Sequence, residues 1–272
     1  MILVLGGAQI GFEYGPSRKR PLSGQRAAHF MNEAQNLGFD ALDTAPGYGS
    51  SEEMAGKTWR NQVHTKIAPG VAPMESLQSS LSRLNRKTVE LAYFHDWRAL
   101  MSPRELSLAR KILVPRYAKK LGVSIYDVED FSRFMDLEEL DAVQLPMSIL
   151  DRRFADLVWN HSRPSKVIFV RSVLFRGLLG ENARRIENSD LKPQVEKLRK
   201  IAVRLKIALE ELAIRWVSSA PGVSGIVLGI DSLSQMRQTV RMFQNGPLET
   251  SALEEIREIP MPEPELVDLR RW

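Results

Sequence analysis

The sequence predicts a single-domain α/β protein, a (β/α)8 barrel of the TIM type spanning residues 1–272, and three observations carry that expectation. Short apolar runs alternate with longer stretches of helical periodicity, the pattern of βα units feeding a parallel sheet. Eight such runs are present, the number that closes a barrel in a chain of this length. The turn after the first run, Gly6-Gly7, does not open a G-x-G-x-x-G fingerprint, which weakens the competing doubly wound open sheet, and no Pro/Ser-rich linker divides the chain.

The elements follow in order. Ile2 to Leu5 is the first apolar run, and a loop passes through Gly15-Pro16 to Ser23, the expected cap of a helix with apolar Ala27, Phe30, Met31, Ala34 and Leu37. Gly38 ends that helix, and Ala41-Leu42 forms a second strand ending on Asp43. A helix from Ser51 to about Arg60 leads to Val63-His64-Thr65-Lys66. A helix over Pro73 to Leu84 precedes the strand Val89 to His95. The second half repeats the rhythm: a helix from Pro103 to Ala118, the strand Leu121 to Ser124, a helical piece over Val128 to Met135, and the strand Ala142 to Leu145. A helix near Leu150 to Trp159 leads to Val167 to Ser172. Two amphipathic helices fill Pro193 to Ser219, the last strand is Gly225 to Gly229, and a final helix begins near Ser232.

Composition narrows the function classes. A hydrophobic share of 43% and a charged share of 26% belong to an ordinary globular protein with ample core. The absence of cysteine removes disulfides, thiolate metal sites and thiol nucleophiles, and suits a reducing cytoplasm. The apolar N-terminus has no basic lead and meets Gln9 at once, so neither a signal peptide nor a membrane span is expected. A net charge of +5 suits anionic small molecules as well as a solvated surface. The basic residues are spread along the chain rather than interleaved with aromatics, so no nucleic-acid partner is expected.

Barrel enzymes build their sites at the carboxyl ends of the strands, so the residue on which each run ends is informative. These residues are Asp43, Lys66, His95, Ser124, Gln144, Arg171-Ser172, and Gly229 with Asp231 just beyond. Tyr48 stands between Gly47 and Gly49, five residues after Asp43, in a stretch that alone reads equally well as a structural strand-to-helix turn. Together the residues would share one mouth. A phenol is a poor acid, with an ordinary pKa of about 10. A nearby lysine ammonium would lower it, with Asp43 holding the lysine, and His95 would donate to an oxygen bound beside Tyr48. That is a set for moving a proton on or off an oxygen attached to carbon. No strong nucleophile accompanies it, and no His/Asp/Glu spacing suggests a metal, so a cofactor must carry the electrons or hydride.

On these residues the chain resembles the aldo-keto reductases, NAD(P)H-dependent barrel oxidoreductases, over nearly its whole length. The resemblance is carried by Leu42-Asp43-Thr44-Ala45-Pro46-Gly47-Tyr48-Gly49-Ser50-Ser51-Glu52, Thr65-Lys66, Phe94-His95-Asp96, Gly122-Val123-Ser124, Val143-Gln144 and Gly225 to Gln235. It implies a catalytic tetrad of Asp43, Tyr48, Lys66 and His95, with Tyr48 as general acid in reducing an aldehyde or ketone. It further implies that Ser124 and Gln144 bind the nicotinamide carboxamide and that Ser172, Val173, Leu174 and Arg176 lie on the loop crossing the pyrophosphate. Gly229 to Thr239 would hold the adenosine end, with Gln235 and Thr239 in contact.

Two departures stand out against that pattern. Ile125 replaces an asparagine frequent after the Gly-Val-Ser serine, and Arg171 replaces an aromatic that stacks on the nicotinamide. A guanidinium can also stack, but it adds a cation near a ring that becomes cationic when oxidised, so cofactor affinity or redox preference should be altered. NADP(H) is favoured by the resemblance and by Arg237 and Arg241, whereas Asp231 would repel a 2′-phosphate and suits NAD(H). The 28 residues between His95 and Ser124 leave little length for a large lid loop. Tyr14 and Trp97 are candidates to line an open pocket, where aromatic faces suit a sugar ring. The expected substrate is a small carbonyl compound or sugar. The rival readings are a sugar or alcohol dehydrogenase running the reverse reaction and a non-catalytic cofactor-binding regulatory barrel.

Overall fold

The alternation of apolar runs and helices closes on itself. In this computed structural model, which describes residues 1–11, 22, 24–95, 102–180 and 190–271, eight parallel strands form a closed barrel in sequence order. They are β1 (Ile2–Gly6), β2 (Ala41–Asp43), β3 (Gln62–Ile67), β4 (Val89–Phe94), β5 (Ala118–Ser124), β6 (Ala142–Pro146), β7 (Val167–Arg171) and β8 (Val223–Leu228). The ring is shut by β1 against β8, with Ile2 opposite Gly225 and Leu5 opposite Leu228.

Helices cover the outside. They are α1 (Ala8–Gly11), α2 (Gly24–Asn36), α3 (Ser51–Thr58), α4 (Pro73–Arg83), α5 (Pro103–Leu113), α6 (Val128–Asp136), α7 (Ala155–Trp159), α8 (Lys192–Leu205), α9 (Leu209–Ser218), α10 (Leu233–Gln244), α11 (Thr250–Arg257) and α12 (Pro264–Val267). Each long helix turns one stripe inward, as α2 does with Ala27, Phe30, Met31 and Ala34, because a helix packs on a sheet only through an apolar face. Start signals are local: Ser102 and Glu105 form a capping box on α5, and Ser232 accepts from the Gln235 amide at α10.

Several sequence expectations are adjusted. The helix expected to reach Ala118 stops at Leu113, because Ala118 to Lys120 join β5 and pair with β4. The helix expected from Leu150 begins at Ala155, after a turn in which the Ser148 hydroxyl accepts from the amides of Leu150 and Asp151. The helix near Ser232 is followed by α11, α12 and a 3-10 turn at Leu269–Arg271. The expected cap Ser23 lies outside the described residues.

The period of two along each strand positions the site. Inward positions end polar at the carboxyl side, after a small or apolar residue on four strands and after His64 on β3: Ala41 then Asp43, His64 then Lys66, Gly122 then Ser124, Ala142 then Gln144, Phe169 then Arg171. A small interior plug of Val4, Ala41, Leu91, Tyr93, Ala142, Phe169 and Val227 fills the lower barrel. Gly122 and Gly225 admit its large rings, since a Cβ at either would lie 2.7 Å from Tyr93 or Phe169 respectively. The larger apolar cluster lies between the strands and the helices.

Candidate active site

Above the plug a cavity open to solvent occupies the carboxyl end of the barrel. Asp43, Tyr48, Lys66 and His95 line one side, Ser124, Gln144 and Arg171 continue around the rim, and Ser172, Val173, Leu174 and Arg176 follow. Gly229, Asp231 and Gln235 complete the lining on the β8 side. The strand-end residues thus meet at one mouth, as the barrel geometry requires.

Lys66 is 1% exposed, and an ammonium so placed costs several kcal/mol unless it is paired. It donates to both oxygens of Asp43, at 2.9 and 2.8 Å, and to the carbonyl of Thr44 at 3.0 Å. Asp43 takes a further bond at 2.8 Å from the Gln144 amide, across the barrel from β6. Burial works against the ammonium, but Asp43 and Tyr48 together outweigh it and raise the Lys66 pKa. Lys66 therefore stays charged at neutral pH, with Nζ 4.8 Å from the Tyr48 ring centroid. The His95 ring stands edge-on to Tyr48, centroids 6.4 Å apart.

The expected lowering of the Tyr48 pKa is not what the surroundings give. Lys66 and Arg171 pull it down, but burial is the largest influence and, with Asp43, leaves it raised above the ordinary 10. Tyr48 is accordingly a neutral phenol at physiological pH, a loaded proton donor.

The loop that presents Tyr48 is held by close backbone packing. Gly49 has φ +54°, where a side chain is strained, and a Cβ there would overlap the Gly11 carbonyl of α1. A Cβ on Gly11 would overlap the Tyr48 carbonyl. The Thr44 hydroxyl donates to Ser51 at 2.9 Å beneath the same loop. After β7, Ser172 (φ 64°), Phe175 (φ 48°) and Arg176 (φ 53°) are non-glycine residues in left-handed conformations, and such strain gathers where a loop has a job.

The two departures prove to be neighbours. Arg171 donates to the backbone carbonyl of Ile125 at 3.3 Å and lays its guanidinium 4.0 Å from the Tyr126 ring centroid. Asp231 accepts from the Gln9 amide at 2.7 Å, and its own backbone amide donates to Gln235 at 2.8 Å. Arg237 instead pairs with Glu33 of α2, and neither it nor exposed Arg241 lines the cavity. Thr239 is buried in α10, 4% exposed, and is likewise absent from the lining. Tyr14 and Trp97 lie outside the described residues.

Sequence reasoning missed Gln9, Tyr126 and Glu210, all of which line the cavity. Gln9 and Tyr126 each sit two or three residues beyond a strand end, which is a usable signal in a barrel. Glu210 opens α9 and reads in sequence as an ordinary acidic first turn.

Comparison with known proteins agrees with this fold. The profile of the Aldo/keto reductase family matches residues 2–260. An aldo-keto reductase of Bacillus subtilis is 24% identical over 249 residues, covering 76% of this chain and 75% of that protein. The NADH-specific methylglyoxal reductase of Escherichia coli is 23% identical, over 83% of this chain and 85% of that protein. The holo form of an aldo-keto reductase from Bacillus halodurans superposes with a TM-score of 0.79 at 20% identity, over 96% of this chain and 94% of that one. A family profile covering nearly the whole chain, on a closed eight-stranded barrel, identifies this protein as a member of the aldo/keto reductase family.

Proposed function

We propose that the cavity is the active site of an NAD(P)H-dependent reductase of small aldehydes or ketones, with Tyr48 as general acid, Lys66 and Asp43 behind it, and His95 flanking the carbonyl oxygen. The observation that carries this reading is the buried Lys66 ammonium, doubly held by Asp43 and set against the Tyr48 ring. A protein that only binds a ligand has no need of a buried cation behind a phenol.

The lining fits a nicotinamide dinucleotide. Ser124 and Gln144 are amide-recognising side chains, Arg171 and Arg176 are cations suited to an anionic bridge, and Asp231 and Gln235 suit ribose hydroxyls at the β8 end. Gly229 gives room there, since a Cβ would overlap the Gln9 side chain. NADP(H) is the family's more frequent dinucleotide, while the Asp231 carboxylate and the NADH-specific Escherichia coli relative support NAD(H).

When bound, the reduced nicotinamide supplies the hydride taken up by the carbonyl carbon. The chain's own part is the proton. Tyr48, kept neutral by burial, gives its proton to the carbonyl oxygen. Lys66, kept charged by Asp43, stabilises the phenolate left behind. His95 donates to the same oxygen and fixes its direction. Within the carbonyl class we propose a sugar-derived aldehyde or ketone, handled in the reducing cytoplasm that a cysteine-free chain suits. Among the described residues no helix is long and apolar enough to cross a membrane.

The test is dinucleotide oxidation by the purified protein against a panel of sugars, methylglyoxal-like aldehydes and simple ketones, with alcohols offered in reverse. Tyr48→Phe should lower turnover about 10²–10⁴-fold while leaving dinucleotide binding intact. Turnover indifferent to that substitution would overturn the mechanism. Tight dinucleotide binding with no turnover on any carbonyl or alcohol would favour the regulatory barrel.

A further inference from the structure

Tyr126 stands in the β5–α6 connection, two residues past Ser124, on the cavity wall. Two guanidiniums pack over its ring: Arg171 of the cavity at 4.0 Å and Arg270 of the C-terminal 3-10 turn at 5.1 Å. Arg270 is itself anchored on two carboxylates. It meets Asp127, the next residue after Tyr126, at 3.0 and 2.6 Å, and Asp268 at 2.8 to 3.1 Å. The same turn accepts the Arg176 guanidinium on the carbonyl of Leu269 at 2.7 Å. Both cavity arginines are therefore tied to residues 268–271, Arg176 directly and Arg171 through Tyr126.

Among the described residues Arg171 bonds only to neutral groups, the Ile125 carbonyl and the Ser172 hydroxyl, and has no carboxylate partner. Its charge reaches Tyr48, where it acts to lower the phenol's pKa. A carbonyl whose oxygen takes the Tyr48 proton takes its hydride on the carbonyl carbon itself, one bond away, so the nicotinamide must come within reach of Tyr48 and of the same cation. The ring is neutral when reduced and positively charged when oxidised. A fixed guanidinium nearby repels the second state and not the first.

We propose that Tyr126 is a positioning residue which, braced by Arg270, fixes the Arg171 cation beside the site of hydride transfer and biases the site toward the reduced dinucleotide. This rests on the reductase reading above and extends it to a preference between oxidation states. The C-terminal turn is thereby part of the site's electrostatics, although none of its residues lines the cavity. Two unit charges several ångströms apart at an effective dielectric near 20 shift a binding equilibrium by roughly tenfold or more.

The experiment measures dissociation constants of reduced and oxidised dinucleotide by fluorescence and calorimetry, without turnover. The proteins are the wild type, Tyr126→Leu, Tyr126→Phe, Arg171→Met and the Tyr126→Leu/Arg171→Met double variant. The wild type should bind the reduced form about tenfold more tightly than the oxidised form. Arg171→Met should bring that ratio close to one, and Tyr126→Leu should narrow it at least threefold. Tyr126→Phe keeps the ring and should keep the ratio. In the double variant the leucine should add nothing, because its effect runs through the arginine. A general loosening of the fold would weaken both forms alike and leave the ratio in place. An unchanged ratio in Tyr126→Leu, or an equal effect of the leucine with and without Arg171, would overturn the inference. A wild type that binds neither form of either dinucleotide would instead overturn the reductase reading, and this inference with it.

Discussion

Lys66 shows how one residue is both liability and function. Its ammonium is 2% exposed at the side chain and its counterion Asp43 6%, so each charge depends on the other for its place in the barrel. Removing one partner of a buried pair typically costs about 3–5 kcal/mol, whereas replacing both by apolar residues of similar volume is often neutral. Lys66→Met should therefore destabilise the protein by about 3–5 kcal/mol in chemical denaturation, with Asp43 left to the single Gln144 amide. Adding Asp43→Leu should restore most of that stability while turnover stays down about 10²–10⁴-fold. If the double variant regained activity together with stability, the pair would be scaffold rather than catalytic machinery. The Tyr48 pKa belongs to the same scale and illustrates what residue identities leave out. The lysine was visible in the chain, but the pKa direction depends on how deeply the phenol is enclosed, and that depth is a property of the folded mouth.

Elements decide where those residues stand. The Tyr48 loop is a strand-to-helix connection between β2 and α3, pinned on α1 by mutual backbone approach of Gly11 and Gly49. Neither position has room for a methyl group, and Gly49 also requires a positive φ. Gly49→Ala should shift Tyr48 off its lysine, lowering turnover at least about tenfold, at a stability cost of about 1–3 kcal/mol. Dinucleotide affinity should change little, since the β5–β8 side of the cavity is untouched. Affinity lost in step with turnover would mean that the loop supports the whole mouth rather than Tyr48 alone. At this scale the sequence was legible wherever a period existed. The strand-end residues Asp43, Lys66, Ser124 and Gln144 could be found by reading where each apolar run stops. The loop residues Gln9 and Tyr126 and the helix-start Glu210 have no periodicity, and their convergence follows from barrel closure, which brings residue 9 to residue 231. Thr239 stands apart for the converse reason: its helical phase turns it into the core under α10.

Among the interior side chains of the barrel, packed against the apolar plug, is a charge-capable residue no mechanism uses. His64 lies one inward step below Lys66 on β3 and beside Asp43 of β2 in register. It is fully enclosed, with Phe169 at 4.8 Å and Tyr93 at 6.3 Å, centroid to centroid. Among the described residues its Nδ1 has no hydrogen-bond partner, and neither does the nearby Tyr93 hydroxyl. Burial drives the His64 pKa down to about 4, although Asp43 pulls it upward. The apolar run Val63-His64-Thr65 announced a strand but could not announce this, because the missing partners become evident only once eight strands surround the ring. The consequence is global. An unfolded chain protonates this histidine near pH 6.5, so between about 6.5 and about 4 the unfolded state binds the extra proton. Stability is present in full above about pH 6.5 and is lost as pH falls to about 4, by an amount on the order of 3 kcal/mol. His64→Leu removes the titration and should flatten the unfolding free energy across that window. Asp268, whose carboxyl is held below its ordinary value by Arg270, still destabilises both proteins at lower pH. Parallel pH profiles for the wild type and His64→Leu between 6.5 and 4, measured by urea unfolding, would show that the acid response originates elsewhere.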